Sequence, residues 1–260
     1  MSREPGLNPN IPASSRIWDY VLGSKDSYDV DRGAAYRMLA IAPDTRLLAQ
    51  LCHQFLLRSV RSVAESGIRQ FIDLGAGFPT FPDVGDLARE IDKTARVAYV
   101  DNDPIVHAHC DAFLTGWPGA TALKADIRCP HDVIDQIKIS STIDFNDPVA
   151  VLMTQVLDYV SPEEQPEEIV RAFLEVMAPG SYLVITHATD DSNEDLRHQM
   201  IADTMSSPAQ PTFRSRAQIE TLLKGFDPIG PGLVPVQNAL GPELPITRLV
   251  MLSAVCRLAS

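Results

Sequence analysis

A run of ten residues, Phe71-Ile-Asp-Leu-Gly-Ala-Gly-Phe-Pro-Thr80, combines two glycines with an acid and could bind a ligand at the end of a strand. Gly75 and Gly77 would let the backbone turn sharply and approach a ligand without an intervening Cβ atom. A dinucleotide motif needs a third glycine where Thr80 stands, and Asp73 would repel a pyrophosphate. The motif therefore favours a cationic ligand such as S-adenosylmethionine (SAM), which has a sulfonium and no phosphate. The alternative is a glycine turn that binds nothing.

The segment Tyr99-Val-Asp-Asn-Asp-Pro104 places a second acid at the end of an apolar run. Asp101 follows Gly77 by 24 residues, close to the spacing of about 20 residues that is typical of a ribose-binding acid. A carboxylate there can accept hydrogen bonds from both ribose hydroxyls. Asp103, which precedes Pro104, is expected to cap the next helix, and capping is also the alternative for Asp101.

A third acid stands in Leu123-Lys-Ala-Asp-Ile127. We expect Asp126 to accept a hydrogen bond from the exocyclic amine of adenine and Ile127 to pack on its ring. Alone this signal is weak, because aspartate is common in loops. Three acids that end three consecutive strands are much less expected by chance.

Alternating strands and helices must position these acids. We predict strands at Gln70 to Leu74, Arg96 to Val100, Thr121 to Ala125, Pro148 to Met153, Ser181 to Thr186, Leu233 to Val236 and Arg248 to Arg257. We predict helices at Val30 to Ile41, from Asp44 to a stop at Gly67, and at Asp83 to Ile91, Pro104 to Leu114, Pro162 to Met177 and Ser215 to Leu223. Such alternation indicates a mostly parallel sheet with helices on both faces, which binds ligands at the carboxyl ends of its strands.

Local signals refine these boundaries. Asp44 is expected to cap the helix that follows it, and Thr80 with Asp83 has the spacing of a capping box. Met1 to Ser15 is rich in Pro, Asn and Ser and is expected to be a flexible arm. We expect residues 1–66 to form this arm and a helical cap, and residues 67–260 to form the ligand-binding core of one structural domain.

Composition limits the classes of function. Hydrophobic residues make up 45% of the 260 residues, and the net charge of −12 argues against a nucleic-acid or anionic-membrane partner. No apolar run approaches the roughly 20 residues of a membrane span. The N-terminus has no apolar signal-peptide core, and the four cysteines contain no CxxC pair. We expect a cytoplasmic protein with free thiols and no bound metal.

The chain resembles the class I SAM-dependent methyltransferases and, more narrowly, a bacterial S-adenosyl methyltransferase family long catalogued as a domain of unknown function. The resemblance covers nearly the whole chain. It is carried by Ser15-Arg-Ile-Trp-Asp-Tyr-Val-Leu-Gly-Ser-Lys-Asp26, Phe71 to Thr80, Tyr99 to Pro104, and Pro179-Gly-Ser-Tyr-Leu-Val-Ile-Thr-His-Ala188. It implies a Rossmann-like α/β fold with a seven-stranded, mostly parallel sheet, an antiparallel last strand and an N-terminal helical extension.

The resemblance also implies SAM as cofactor and methyl transfer to a small-molecule acceptor, by a monomer or a homodimer. The residues expected to bind the cofactor follow the first four strands: Asp73, Gly75, Ala76, Gly77, Asp101, Asn102, Asp126, Ile127 and Gln155.

Three residues are candidates for catalysis. Asp158 stands where relatives usually carry a histidine, and it could act as a general base, pair with a cationic acceptor, or only start a helix. His187 ends the fifth strand and could shuttle a proton, or it could be a hydrogen-bonded structural residue. Tyr20 could close the pocket over the cofactor, or it could only pack the N-terminal segment on the core.

The departures from the family pattern at Asp158 and at Pro235 to Leu240 leave other functions open. The chain could cyclise or cleave the aminobutyrate arm of SAM without methyl transfer. It could also bind SAM without catalysis, because a fold does not guarantee an activity.

Overall fold

The computed structural model describes residues 8–114, 117–241 and 243–259. The helices are α1 (Ser14–Leu22), α2 (Asp29–Ile41), α3 (Thr45–Glu65), α4 (Val84–Ile91), α5 (Pro104–Phe113), α6 (Pro130–Ser140), α7 (Pro166–Val176), α8 (Glu194–Thr204), α9 (Arg216–Leu222) and α10 (Val236–Leu240). The strands are β1 (Gln70–Leu74), β2 (Arg96–Asp101), β3 (Ala120–Lys124), β4 (Ala150–Thr154), β5 (Tyr182–Ala188), β6 (Phe226–Pro235) and β7 (Met251–Leu258).

The seven strands form one sheet in the order β3-β2-β1-β4-β5-β7-β6. All pairs from β3 to β5 are parallel, and β7 is antiparallel to both β5 and β6. The strand order reverses between β1 and β4, the point at which open α/β sheets bind ligands. The predicted α/β class and the antiparallel last strand are confirmed.

Alternate residues of each strand face two separate hydrophobic clusters, as the pleat of a strand requires. Phe71 of β1 packs with α1 to α4 on one face, whereas Ile72 and Leu74 pack with α6, α7 and α9 on the other. The sheet is therefore covered by helices on both sides.

The N-terminal helices belong to the first of these clusters. Helix α1 packs against α2 and α3, and α3 packs against β4, β5 and β7. The predicted flexible arm is shorter than expected, because Ser14 and Ser15 already lie in α1. Residues 1–7 of that arm lie outside the described residues.

Two capping predictions were wrong. The side chain of Asp44 makes no cap hydrogen bond, and its Oδ2 instead accepts a hydrogen bond from the backbone N–H of Arg248 at 2.8 Å. The capping box of α4 is formed by Asp83 and Asp86 rather than by Thr80 and Asp83. Asp83 directly precedes α4, so its side chain, rather than that of Thr80, is placed to accept a hydrogen bond from the N–H of Asp86.

The sequence patterns missed α1, α6, α8 and α10, and β6 extends further towards the N-terminus than predicted. Among the described residues, no helix is long and apolar enough to cross a membrane.

Candidate functional site

A cavity of about 500 Å³ opens beyond the carboxyl ends of β1 to β4. All nine residues expected to bind the cofactor line this cavity: Asp73, Gly75, Ala76, Gly77, Asp101, Asn102, Asp126, Ile127 and Gln155. They converge because parallel strands end at the same edge of the sheet. Their binding roles remain predictions.

The glycine turn after β1 brings bare backbone to the cavity. Gly75 has a φ of 72°, and a Cβ atom there would lie 2.5 Å from Cγ2 of Val156. Gly77 has a φ of 64°, and a Cβ there would enter open space beside the cavity. Gly75 is therefore required by the packing of the turn, whereas Gly77 keeps space free for a ligand.

Two carboxylates face this turn, the buried Asp73 and the half-buried Asp101. Burial raises the pKa of Asp73 to about 7, and the charges of Asp83 and Asp101 add to this shift. Burial also raises the pKa of Asp101 to about 6, although its carboxylate accepts hydrogen bonds from the N–H groups of Gly77 and Asp103 at 3.0 and 2.9 Å. Neither forms an ion pair with any described side chain. Such a site attracts a cation, since a buried charge is costly without a partner.

The start of α4 is fixed to the sheet beneath the turn. The hydroxyl of Tyr99 donates a hydrogen bond of 2.5 Å to Asp83 and accepts one of 3.0 Å from the N–H of Gly85. This arrangement holds the loop between β1 and α4 at the wall of the cavity.

Asp126 already has a strong partner. Its two oxygens accept hydrogen bonds of 2.9 and 2.5 Å from Nε and Nη2 of Arg128, and Nη1 of Arg128 lies 3.0 Å from Glu164. An adenine amine would therefore share the Asp126 carboxylate with Arg128. Arg128 was not predicted to be part of the site, although Arg128 follows Asp126 by only two residues.

Helix α1 contributes a wall of the cavity. Residues Ser15, Trp18, Asp19 and Leu22 line it, at the spacing of one helical face. Nε1 of Trp18 donates a hydrogen bond of 2.6 Å to the hydroxyl of Tyr159, which lies beyond β4. This segment was predicted to contribute to the site, but through Tyr20 rather than Trp18. Residues 14–22 had not been predicted to be a helix, so the face that lines the cavity could not be identified.

Arg16 ties this helix to the rest of the site. Its Nε lies 2.9 Å from Asp31 and its Nη1 lies 2.8 Å from Asp103, and all three side chains are buried. Nη2 donates a hydrogen bond of 2.8 Å to the carbonyl of Ile11. Arg16 carried no sequence signal of this role, because both acids lie far from it in the chain.

Helix α3 presents His53 to the cavity beside Ala49 and Leu56. Burial lowers the pKa of His53, although a hydrogen bond to the carbonyl of Pro82 opposes the shift. The imidazole is therefore favoured in its neutral form. Its position in the middle of α3 gave no sequence signal of a site.

The three residues expected to act in catalysis do not line the cavity. Tyr20 packs against the core at the edge of α1, where the guanidinium of Arg46 lies 5.9 Å from its ring centroid. Asp158 is 3% exposed and His187 is fully buried. Their catalytic roles remain predictions, and this placement gives them no direct access to a ligand.

Asp158, His187 and Arg214 form a buried cluster behind the cavity. Oδ1 of Asp158 accepts a hydrogen bond of 2.8 Å from the N–H of Ala188 and lies 2.9 Å from Nδ1 of His187. Nη1 of Arg214 lies 2.6 Å from Nε2 of His187. Because both ring nitrogens of His187 have partners, this geometry matches the structural role considered for that residue.

Arg214 also forms hydrogen bonds with the backbone after β4. Its Nη1 and Nη2 donate hydrogen bonds of 2.8 and 2.7 Å to the carbonyls of Leu157 and Val160. These carbonyls flank Tyr159, so the cluster holds a residue of the cavity wall. Arg214 was not identified from the sequence because its partners all lie far from it in the chain.

Gln155 occupies an unusual backbone conformation at the end of β4. Its φ is 57°, and its N–H donates a hydrogen bond of 3.0 Å to Oγ1 of Thr186. Its Nε2 is buried and has no hydrogen-bond partner among the described residues. Since an unpaired buried amide is costly, this group is available to a ligand.

Comparison with known families gives one match that spans most of the chain. A family model described as S-adenosyl methyltransferase matches residues 2–247. No curated protein matches the sequence.

Several solved structures are similar. A DUF574 family protein from Streptomyces avermitilis is 29% identical with a TM-score of 0.88, and the match covers 96% of this chain and 98% of that one. A structure from Thermobifida fusca, described as a candidate methyltransferase, is 30% identical with a TM-score of 0.88 and 98% coverage of both chains.

A more distant match shares the fold alone. The N-methyltransferase NodS from Bradyrhizobium japonicum, solved in complex with S-adenosylhomocysteine, is 13% identical with a TM-score of 0.54. That match covers 95% of this chain and all of the NodS chain.

Proposed function

The chain belongs to the S-adenosyl methyltransferase family, and we propose that it transfers the methyl group of SAM to a small-molecule acceptor bound in the same cavity. The observation that carries this proposal is a pair of carboxylates without an ion-pair partner among the described residues, the buried Asp73 and the half-buried Asp101, beside the open space at Gly77. A cationic nucleoside without phosphate fits this combination of charge and shape.

The cavity residues suit the different parts of SAM. We propose that Asp73 receives the ammonium group, Asp101 the ribose hydroxyls, and Asp126 with Ile127 the adenine. Nε2 of Gln155 would donate a hydrogen bond to the bound molecules, which would satisfy the buried amide. Ala76 and Asn102 would complete the walls beside the turn.

Bound SAM supplies an activated methyl group, so the protein need only hold the acceptor in line with it. The residues of α1 and the Trp18–Tyr159 hydrogen bond form a wall that restricts water. The six aspartates that line the cavity, Asp19, Asp73, Asp83, Asp101, Asp103 and Asp126, support a small molecule as acceptor, since they would repel a nucleic-acid backbone.

For the three residues first expected in catalysis, we propose a supporting role. Asp158 and His187 orient the loop that carries Gln155 and Tyr159, through Arg214. Tyr20 packs α1 on the core. We propose no proton transfer by these groups, because none of them lines the cavity.

Titration calorimetry with SAM and S-adenosylhomocysteine tests the binding step. We expect saturable binding that Asp73→Asn weakens and that Asp135→Asn, at an exposed position on α6, leaves unchanged. Absence of saturable binding at millimolar SAM would refute the proposal.

Two further assays separate methyl transfer from its alternatives. Incubation with SAM alone, followed by mass spectrometry, should show no consumption of SAM above the blank. Turnover without an acceptor would instead favour a cyclase or lyase. A metabolite screen for methylated products tests catalysis, and tight SAM binding without any product would favour a non-catalytic binding protein.

A further inference from the structure

The cavity has a second acidic end, which is formed by α1 rather than by the ends of the strands. Asp19 of α1 lines it, is only 7% exposed, and forms no ion pair with a described side chain. Asp19 lies on α1, whereas Asp73 lies at the end of β1. The two carboxylates therefore approach the cavity from different elements.

Flat and apolar side chains surround this second end. Trp18 and Leu22 come from the same helix as Asp19, Phe78 follows the glycine turn, and Tyr159 follows β4. The hydrogen bond between Trp18 and Tyr159 fixes both rings, and Phe78 makes an edge contact with His109 at 5.1 Å between centroids. Rigid aromatic walls of this kind favour a planar ring and also attract cations.

The charge of the cavity excludes an anionic acceptor. Its two arginines are already paired, Arg16 with Asp31 and Asp103, and Arg128 with Asp126 and Glu164. SAM brings two positive groups and one carboxylate, whereas Asp19, Asp73, Asp83 and Asp101 all lack a paired cation among the described residues. A second anion would face uncompensated negative charge, which is strongly unfavourable at short range.

We propose that this end of the cavity is the acceptor subsite and that it binds a small amine with a flat ring, whose ammonium or N–H group pairs with Asp19. The inference rests on the proposed function, because it assigns the acceptor class to the same cavity. The N–H of Asp26 already donates a hydrogen bond of 3.1 Å to Oδ2 of Asp19, which orients the carboxylate. One carboxylate holds the cofactor and another holds the acceptor.

Three probes of nearly equal shape test the proposal: phenethylamine, phenethyl alcohol and phenylpropionate. Each is titrated into the protein saturated with S-adenosylhomocysteine. We expect the amine to bind at least about tenfold more tightly than the carboxylate, with the alcohol between them, as a like-charge contact predicts. In Asp19→Asn we expect this preference to fall to within about twofold, because the amide keeps the size but not the charge.

Asp135→Asn is the matched control, since it removes an exposed aspartate charge on α6 that solvent screens and that does not act on Asp19. It should keep the preference of the wild type for the amine. Equal or tighter binding of the carboxylate to the wild type would overturn the inference, and so would the failure of all three probes to bind at millimolar concentration. Both of these outcomes are measured on the wild-type protein, so they do not depend on whether a variant folds.

A failure of the proposed function can be distinguished from a failure of this inference. If SAM and S-adenosylhomocysteine do not bind, the cofactor assignment is wrong. If they bind and the probes bind in another order, only the acceptor class is wrong.

Discussion

Nη1 of Arg16 lies 2.8 Å from Oδ2 of Asp103, so a helix at the start of the described chain is joined to the loop that follows β2. The same guanidinium lies 2.9 Å from Asp31 of α2. One side chain therefore connects two helices of the N-terminal region with the loop that directly follows Asp101, the proposed ribose-binding residue.

Replacement of this side chain should destabilise the whole fold. Arg16→Met leaves Asp31 and Asp103 buried without their cation, and loss of one partner from a buried ion pair costs about 3–5 kcal/mol. Urea unfolding should show this loss. The control, Arg61→Met, removes an exposed pair with Glu90 and should cost less than about 1 kcal/mol. Similar losses in the two variants would contradict the role given to Arg16.

The affinity for SAM should rise with pH through the neutral range. With a pKa of about 7, Asp73 carries little charge in mildly acidic buffer and attracts the ammonium group weakly. We expect roughly 20-fold tighter binding at about pH 7.5 than at about pH 5.5, since Asp73 is mostly ionised above its pKa and only about 3% ionised 1.5 units below it. Calorimetry at constant ionic strength measures this. Asp73→Asn should bind more weakly with a flatter profile, and a level wild-type profile would argue against this assignment.

The ionisation of Asp73 should also affect the stability of the ligand-free protein. Here a rise in pH should lower the free energy of unfolding. Unfolded aspartate releases its proton near pH 4, whereas folded Asp73 retains it up to about pH 7. The folded state therefore binds more protons within this window, and its stability falls as pH rises. We expect the free energy of unfolding of Asp73→Asn to fall less between about pH 5 and about pH 7 than that of the wild type. Parallel curves for the two proteins would refute the prediction.

A methyl group at Gly77 should impair binding more than folding. Gly77→Ala places Cβ in open space beside the cavity at a φ of 64°. Gly232 offers a matched control, because it has a φ of 73° and also nothing within 4 Å of an added Cβ. Both variants should lose a similar stability of about 1 kcal/mol, since both place a side chain in the left-handed region. Only Gly77→Ala should lose affinity for SAM in calorimetry, and equal affinity in both variants would contradict a role of Gly77 in keeping space for the ligand.

Asp158→Asn distinguishes a structural carboxylate from a general base. The change removes the negative charge that lies 2.9 Å from Nδ1 of His187 and that acts on the buried guanidinium of Arg214, and we expect a loss of about 1–3 kcal/mol in the free energy of unfolding. The control Asp190→Asn changes an exposed residue near the end of β5 and should be nearly neutral. A general base would behave differently, because its loss lowers the rate while stability stays at the wild-type value. Wild-type stability in Asp158→Asn would therefore revive the catalytic role.

Much of the core could be predicted because its signals are local. The predicted bounds of β1 match those of the structure, and β2 extends only one residue beyond its prediction to include Asp101. Once these strands are parallel neighbours, the residues that follow them must meet at one edge of the sheet. For this reason, Asp73, Asp101 and Asp126 could be placed together without knowledge of the helices.

What could not be predicted depends on partners far along the chain. Asp44 has the sequence of a helix cap, yet its carboxylate binds the backbone of Arg248. The strand β6 contains Gly230, Pro231 and Gly232, which break a strand pattern, and it is held by antiparallel pairing with β7 across a register shift between Ile229 and Val234.

The expectation that Asp158 reaches the ligand was wrong for the same reason, because its partners lie far along the chain. Asp158 follows β4 in the chain as closely as a cavity residue should. Its side chain turns away because Ala188 and His187 of β5 provide its hydrogen-bond partners. Conversely, Trp18 reaches the cavity through a helical face that only the packing of α1 on α3 defines.

The position of β7 between β5 and β6 determines the order in which the protein can be completed during synthesis. The described residues that line the cavity lie between Asn8 and Val160, with Pro208 as the exception. The ribosome therefore releases almost the whole binding surface before it makes β7. Until β7 emerges, β5 and β6 have no strand between them, and their open edges are exposed to pairing with other chains. A nascent chain of this protein passes through a stage in which its ligand-binding half is fully made but its sheet is still open to aggregation.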